Sequence, residues 1–148
     1  MYGIQLKQRL LKDWRVRRHF RGVFPCDLLP NYMDRGIPHA FIINLDAHNK
    51  PRSHWVALYI TANGNAVYFD SFGAPPLKRS IHSFILRNSC TLVFNSMVIQ
   101  SFTTQTCGLY CIYFIKRMCR GAKLNEIHQH FDPRFPQRND RIIHHLAD

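Results

Sequence analysis

Cys107, followed by Gly108, stands at the head of an unbroken apolar run from Leu109 to Ile115. A run apolar all round, embedded in a segment from Thr106 to Met118, reads as a helix in the middle of a domain. Lys116, Arg117 and Arg120 suit its C-terminus, and Gly121 suits its stop. A cysteine in the first turn of such a helix meets unpaired N–H groups and the positive end of the helix dipole, which favour thiolate over thiol. The same N–H groups can hold an oxyanion when a carbonyl is attacked. Gly108 would let a substrate backbone come close. Taken alone, Cys107 reads more readily as a buried structural cysteine, the commoner kind.

Two further residues shift that balance. His54 opens an apolar segment running to Ile60, and Asp70 ends the next one, Ala66 to Asp70, across the turn signal Asn63-Gly64-Asn65. Antiparallel strands joined by that turn would bring His54 and Asp70 to the same end. A carboxylate there can orient an imidazole and stabilise its charged form, which a cysteine nucleophile requires of its base. Gln100 and Gln105 both precede the cysteine, and either amide could donate to an oxyanion. Their positions do not choose between them. A zinc site from Cys107, Cys111, His128 and His130 is disfavoured, because Cys-x3-Cys with His-x-His does not match common ligand spacings.

The elements that must position these residues follow from periodicity. Residues 4–20 read as a basic amphipathic helix with Leu6, Leu10, Trp14 and Phe20 on one face. Gly22, Pro25, Pro30, Gly36 and Pro38 leave residues 21–39 largely irregular. Strands are expected at 40–45, 54–60, 66–70 and 91–94, with a short one at 97–100. A helix is expected over 77–88 on Leu77, Ile81, Phe84 and Ile85. One or two short helices, separated by Pro133 and Pro136, are expected in 122–148. No repeat or linker divides the chain, so residues 1–148 are expected to form one α+β domain.

The 148 residues carry 20 Lys and Arg against 9 Asp and Glu, a net charge of +11. That excess favours polyanions through counterion release, so nucleic acid is the first partner to consider. Lys7, Arg9, Lys12, Arg15, Arg17 and Arg18 concentrate it near the start. Basic residues also break up the N-terminal apolar stretch, which argues against a secretory signal. The five cysteines, an odd number, are expected to be thiols in a reducing compartment.

Read together, His54-Trp55, Val67-Tyr68-Phe69-Asp70-Ser71-Phe72-Gly73, Gln100 and Cys107-Gly108-Leu109-Tyr110-Cys111 resemble the adenovirus-type protease family (adenain). The SUMO-specific proteases of the same clan are a more distant resemblance. The interval of seven residues from Gln100 to Cys107, the second cysteine at Cys111 and Asn44 ahead of His54 favour the adenain branch. The resemblance covers about residues 40–115. Asp70 stands where adenain has Glu, the His54–Asp70 spacing is one shorter, and adenain's C-terminal region is reduced. Short versions of this kind are similar to proteases of virus-like mobile elements (Polinton-like).

The resemblance implies a papain-like fold rearranged in order, a mixed sheet flanked by helices around a central helix that starts at the nucleophile. It implies a cysteine endopeptidase with Cys107 as nucleophile, His54 as base, Asp70 as its orienting group and Gln100 as oxyanion donor. Trp55, Gly108 and Asn44 would contact substrate, with Gly preferred near the scissile bond. Capsid or core precursors would be cleaved during particle maturation, in the host nucleus and virion. No metal is implied. DNA could act as a cofactor through the basic residues near the start, and an activating peptide could join Cys90 by a disulfide. The enzyme would be a monomer with no membrane partner. The alternatives are a deconjugating protease for SUMO or ubiquitin-like modifiers, and a basic DNA-binding module without activity.

Overall fold

The computed structural model describes residues 1–51 and 53–148. Arg52, within the polar loop ahead of His54, lies outside the described residues. In chain order the elements are α1 (Gly3–Leu10), α2 (Trp14–Arg17), β1 (Phe20–Pro25), β2 (His39–Asn44), β3 (Trp55–Ile60), β4 (Asn65–Phe69), α3 (Arg79–Asn88), β5 (Thr91–Phe94), α4 (Cys107–Cys119), α5 (Leu124–His128) and α6 (Pro136–Leu146). The strands form one sheet in the order β1-β2-β3-β4-β5. The outer pairs β1–β2 and β4–β5 are parallel, and the inner pairs β2–β3 and β3–β4 are antiparallel. This is the mixed α+β sheet expected from the sequence.

Every residue of β2 and β3 is buried, because both faces of the sheet are covered. Alternate side chains feed two cores, as the two-residue period of a strand demands. Ala40, Ile42, Trp55, Ala57, Tyr59, Val67 and Phe69 join α4, α1 and α6 on one face. Phe41, Ile43, Val56, Leu58, Ile60, Ala66 and Tyr68 join Ile81, Phe84 and Ile85 of α3 on the other. Phe69 stacks on Phe114 of α4 with ring centroids 4.8 Å apart. The helix α4 is buried continuously from Cys107 to Ile115, which explains its all-round apolar sequence.

Several sequence expectations are corrected. The helix expected over 4–20 is two short helices. Asp13 accepts a hydrogen bond from the Arg15 amide at 2.9 Å and caps α2, so the chain restarts rather than continues. Trp14 is consequently 55% exposed, and Val16 takes the buried place. Residues 20–25 form the edge strand β1, not an irregular segment. Gly22 has φ +143°, and the β1–β2 register shifts between Phe20 and Gly22, which breaks the alternation that would have revealed a strand. Residues 97–100 form no strand, because the Ile99 and Gln100 amides both donate to the Ser71 carbonyl, at 3.0 and 3.2 Å. Leu77 lies before α3 and is 79% exposed. The C-terminal region does hold two short helices as expected, α5 and α6, with Pro133 between them and Pro136 at the first position of α6, where no N–H donor is needed.

Candidate functional site

The β3–β4 register pairs Ala57 with Phe69. Continued outward, it sets Phe72 across from His54 and Asp70 across from Val56, so His54 and Asp70 are diagonal neighbours. The structure closes that diagonal: the His54 Nε2–H group and Asp70 Oδ1 are 2.7 Å apart. Asp70 is nearly fully buried, and its Oδ1 also accepts the Phe72 amide at 2.8 Å. The Phe72 ring stacks on the imidazole at 4.6 Å, and Phe102 stacks on Phe72 at 5.1 Å. Gly73 makes the tight turn behind Asp70 possible. Its φ is +74°, and a Cβ there would lie 2.9 Å from the Met97 backbone.

Cys107 is the first residue of α4, close enough to His54 for each to shift the other's pKa. With Nε2 committed to Asp70, Nδ1 is the ring nitrogen left for the thiol. Burial pushes the Cys107 thiol up, but the His54 hydrogen bond and the Trp55 and Gly108 amides outweigh it, and its pKa lies below the ordinary value. Burial also opposes charge on His54, yet Asp70 and then Cys107 raise its pKa to about 9. These opposite displacements favour a thiolate–imidazolium pair, the reactive form of a cysteine nucleophile.

Gln100 is buried, with both ends of its amide held. The Ser71 hydroxyl donates to Oε1 at 2.6 Å, and Nε2 donates to the Thr104 carbonyl at 3.0 Å. Nε2 also makes a longer contact, 3.5 Å, with the Thr104 hydroxyl, and the Cys107 backbone N–H, in the first turn of α4, has no intrahelical acceptor. Gln105 is exposed. The structure therefore brings together Cys107, His54, Asp70 and Gln100 at one end of the sheet. It can in principle attack a carbonyl, hold the resulting oxyanion and move a proton.

The other anticipated residues are placed as follows. Gly108 packs against α1, where a Cβ would come within 2.8 Å of the Leu6 side chain. Asn44 is fully buried at the end of β2, where Oδ1 accepts the Asp46 amide at 2.9 Å, and its Nδ2 has no hydrogen-bond partner among the described residues. Trp55 is 4% exposed, and its indole N–H donates to the Met1 carbonyl at 3.1 Å. Its ring also borders a recess between α1 and β1 lined by Gly3, Ile4, Val23 and Pro25. Cys90 is exposed, and its amide donates to the Gly64 carbonyl at 2.7 Å, which puts it at the end of β4 opposite Asp70. Lys7, Lys12, Arg15, Arg17 and Arg18 are exposed, whereas Arg9 is partly buried and paired with Asp148 at 2.6 Å. Among the described residues, no group of three or more His, Cys, Asp or Glu could hold a metal ion.

Sequence reasoning missed Ser71, Thr104 and the Phe72–Phe102 stack. Ser71 adjoins Asp70 and could have been suspected from that position. Thr104 carried no signal, because its role depends on a loop conformation.

Comparison with known proteins fits this geometry. No protein-family model matches the chain. It is 34% identical over 106 residues to a protein of Acanthamoeba polyphaga mimivirus described as "Putative thiol protease R355". The match takes in 64% of this chain and 35% of that protein, so the chain spans about a third of the relative's length. Among solved structures, it superposes on the ASFV pS273R protease with a TM-score of 0.70 at 13% identity, over 98% of this chain and 66% of the other. The chain has the fold of that cysteine protease. A selenomethionine structure of the same protease gives a TM-score of 0.54 at 16% identity, over 74% and 43% of the two chains. The papain-like fold expected from the sequence is thus present over nearly the whole chain.

Proposed function

We propose that this chain is a cysteine endopeptidase. The observation that carries the reading is the convergence of Cys107, His54, Asp70 and Gln100, with the His54 pKa raised and the Cys107 pKa lowered. The Cys107 thiolate attacks the scissile carbonyl. The Gln100 Nε2–H and the Cys107 backbone N–H hold the oxyanion, and His54 delivers its proton to the leaving amine. A thioester remains on Cys107. Water, deprotonated by His54, then attacks it, and the acid product leaves as the thiolate reforms. Asp70 keeps the imidazole oriented throughout.

The likeness to two viral proteins supports a viral or virus-like protease, and the adenain-type motifs support precursor processing during particle maturation. We infer capsid or core precursors as substrates, in the host nucleus and the assembling particle. The aromatic stack of Phe72 and Phe102 beside His54 suits a segment with little side chain, which agrees with Gly near the scissile bond. The exposed cations of α1 and α2 support DNA as a non-specific partner. An activating peptide on Cys90 would act from the far end of β4.

The test is labelling with a Gly-Gly peptidyl vinyl sulfone, followed by mapping of the modified cysteine. Adduct on Cys107, lost in His54→Ala, is the expected result. Full hydrolysis of a Gly-Gly peptidyl aminomethylcoumarin by Cys107→Ala would overturn the assignment. Turnover of a SUMO or ubiquitin fluorogenic conjugate in preference to the peptide would replace the precursor substrate with a modifier.

A further inference from the structure

The loop between Gln100 and Cys107 has no regular structure, yet it must hold both proposed oxyanion donors in register. The side chain that organises it comes from another element. Asp140, in α6, is 6% exposed and collects four donors. Its Oδ2 accepts the Ser101 amide at 3.1 Å and the Thr104 hydroxyl at 2.8 Å. Its Oδ1 accepts the Thr106 hydroxyl at 3.0 Å and the Tyr110 hydroxyl at 2.8 Å. The neighbouring Asn139 donates to the Ile99 carbonyl at 3.0 Å. Two adjacent residues of one helix therefore grip both the entry to the loop and its body.

Each contact leads to the reaction centre in one step. Thr104 presents the carbonyl that takes the Gln100 Nε2–H at 3.0 Å, which fixes where the other hydrogen points. Thr106 immediately precedes Cys107 and accepts the first backbone bonds of α4, from Leu109 at 2.9 Å and Tyr110 at 3.2 Å. Its position sets the direction of the Cys107 N–H. Resting on the cysteine-protease reading above, we propose that Asp140 is a positioning residue for the oxyanion site. Its carboxylate holds residues 101–106 so that the Gln100 amide and the Cys107 N–H converge on one point. A carboxylate suits this task because it only accepts, and all four groups around it are donors. An amide in its place would set an NH2 group either against the Ser101 N–H or against hydroxyls that must then turn to accept, which loosens part of the loop.

The experiment is a double-mutant cycle on hydrolysis of a Gly-Gly peptidyl aminomethylcoumarin. Asp140→Asn should lower kcat by roughly 10- to 100-fold with little change in KM, less than the loss of a donor itself. In a Gln100→Ala background the same change should cost at least about fivefold less, because the group being positioned is gone. Thr104→Val removes the hydroxyl that binds Asp140, and with it a 3.5 Å contact to Gln100 Nε2, but keeps the carbonyl that holds Gln100 at 3.0 Å. It should show the same coupling with a smaller loss, and it carries the test if Asp140→Asn does not fold. Iodoacetamide alkylation of Cys107 depends on His54 and on the Trp55 and Gly108 amides, none of which bonds to Asp140 or Thr104, so it should match wild type in both variants. Equal losses in the two backgrounds, or a loss that tracks alkylation, would overturn the proposal and leave Asp140 a structural residue. Failure of the protease reading looks different: the wild-type protein itself would not hydrolyse the peptide.

Discussion

Asp70→Asn isolates the charge that sustains the imidazolium. Asp70 is the largest of the influences that raise His54 from 6.5 to about 9, against the opposing effect of burial. At 1.36 kcal/mol per pH unit, that rise represents roughly 3 kcal/mol in favour of the charged ring. The His54 side chain is only 12% exposed, so solvent screens little of it. Asparagine keeps the size and can keep an acceptor for Nε2–H and for the Phe72 amide, but it removes the negative charge. Burial then dominates, and the His54 pKa falls. The Cys107 thiol loses the cation that holds it down and moves up. Both displacements shrink the window in which thiolate and imidazolium coexist. Wild-type hydrolysis should rise as Cys107 ionises below its ordinary pKa and fall as pH passes about 9, with apparent values that belong to the pair. In Asp70→Asn the alkaline limb should move to lower pH, and the rate at neutral pH should drop by about 100-fold or more. Iodoacetamide alkylation of Cys107 across pH, with peptide mapping, reads the acid limb directly. An alkaline limb that stays near 9 in Asp70→Asn would refute the electrostatic argument, whatever happens to the rate. The same linkage bears on stability: a raised His54 pKa stabilises fully below pH 6.5, and that contribution fades as pH rises through about 9.

Gln100→Ala should cost about 100- to 1,000-fold in kcat, whereas Gln105→Ala, on an exposed side chain, should stay near wild type; the reverse would mean the loop is aligned otherwise. Burial holds the Cys111 thiol well up, so Cys111→Ala should retain most hydrolysis and should not alter vinyl sulfone labelling of Cys107. Gly73→Ala should destabilise by at least about 1–3 kcal/mol from backbone strain alone, read as a lowered Tm, because the new Cβ meets backbone rather than a movable side chain. Replacing Arg15, Arg17 and Arg18 together with Ala should lower the salt slope of DNA binding by about 2–3, since each phosphate no longer neutralised takes roughly one unit from it. Arg9→Ala should lower it less, since Arg9 is already paired with Asp148.

What the sequence revealed follows from how local each signal is. His54 and Asp70 were placed together correctly because a hairpin turn at Asn63-Gly64 fixes a short-range register, and register alone brings strand ends into contact. Cys107 was legible because an all-apolar run announces a buried helix and its first turn has defined electrostatics. The N-terminal helix was misjudged because the period continues across a break that one side chain, Asp13, creates by capping a new start. β1 was hidden by its bulge at Gly22. The chemistry of the Cys107-Gly108 pair is visible in sequence, whereas the Leu6 side chain that packs over Gly108 from α1 is not.

The oxyanion loop shows the same division at the centre of the site. Its two proposed donors are close in sequence and were anticipated, but neither can be aimed by its neighbours alone. The Gln100 amide is oriented by Ser71 from the end of β4, which takes Oε1, and by Thr104, which takes Nε2–H. Thr104 is held in turn by Asp140 from α6, 36 residues further along the chain. The two ends of one amide are thus fixed from opposite sides of the fold, one by the strand that carries Asp70 and one by a helix that carries none of the reacting groups. If Ser71 were the sole determinant, Nε2 would be free to swing about Oε1 and the second hydrogen would have no fixed aim. The Thr104 carbonyl only accepts, so it decides which end of the amide is NH2; a flip would set Oε1 against it and present a lone pair to a developing oxyanion, which repels rather than stabilises it. Together the two restraints aim a donor at the developing oxyanion. That requirement ties the helix after Pro136 to the proposed chemistry, although nothing in its own sequence announces a role.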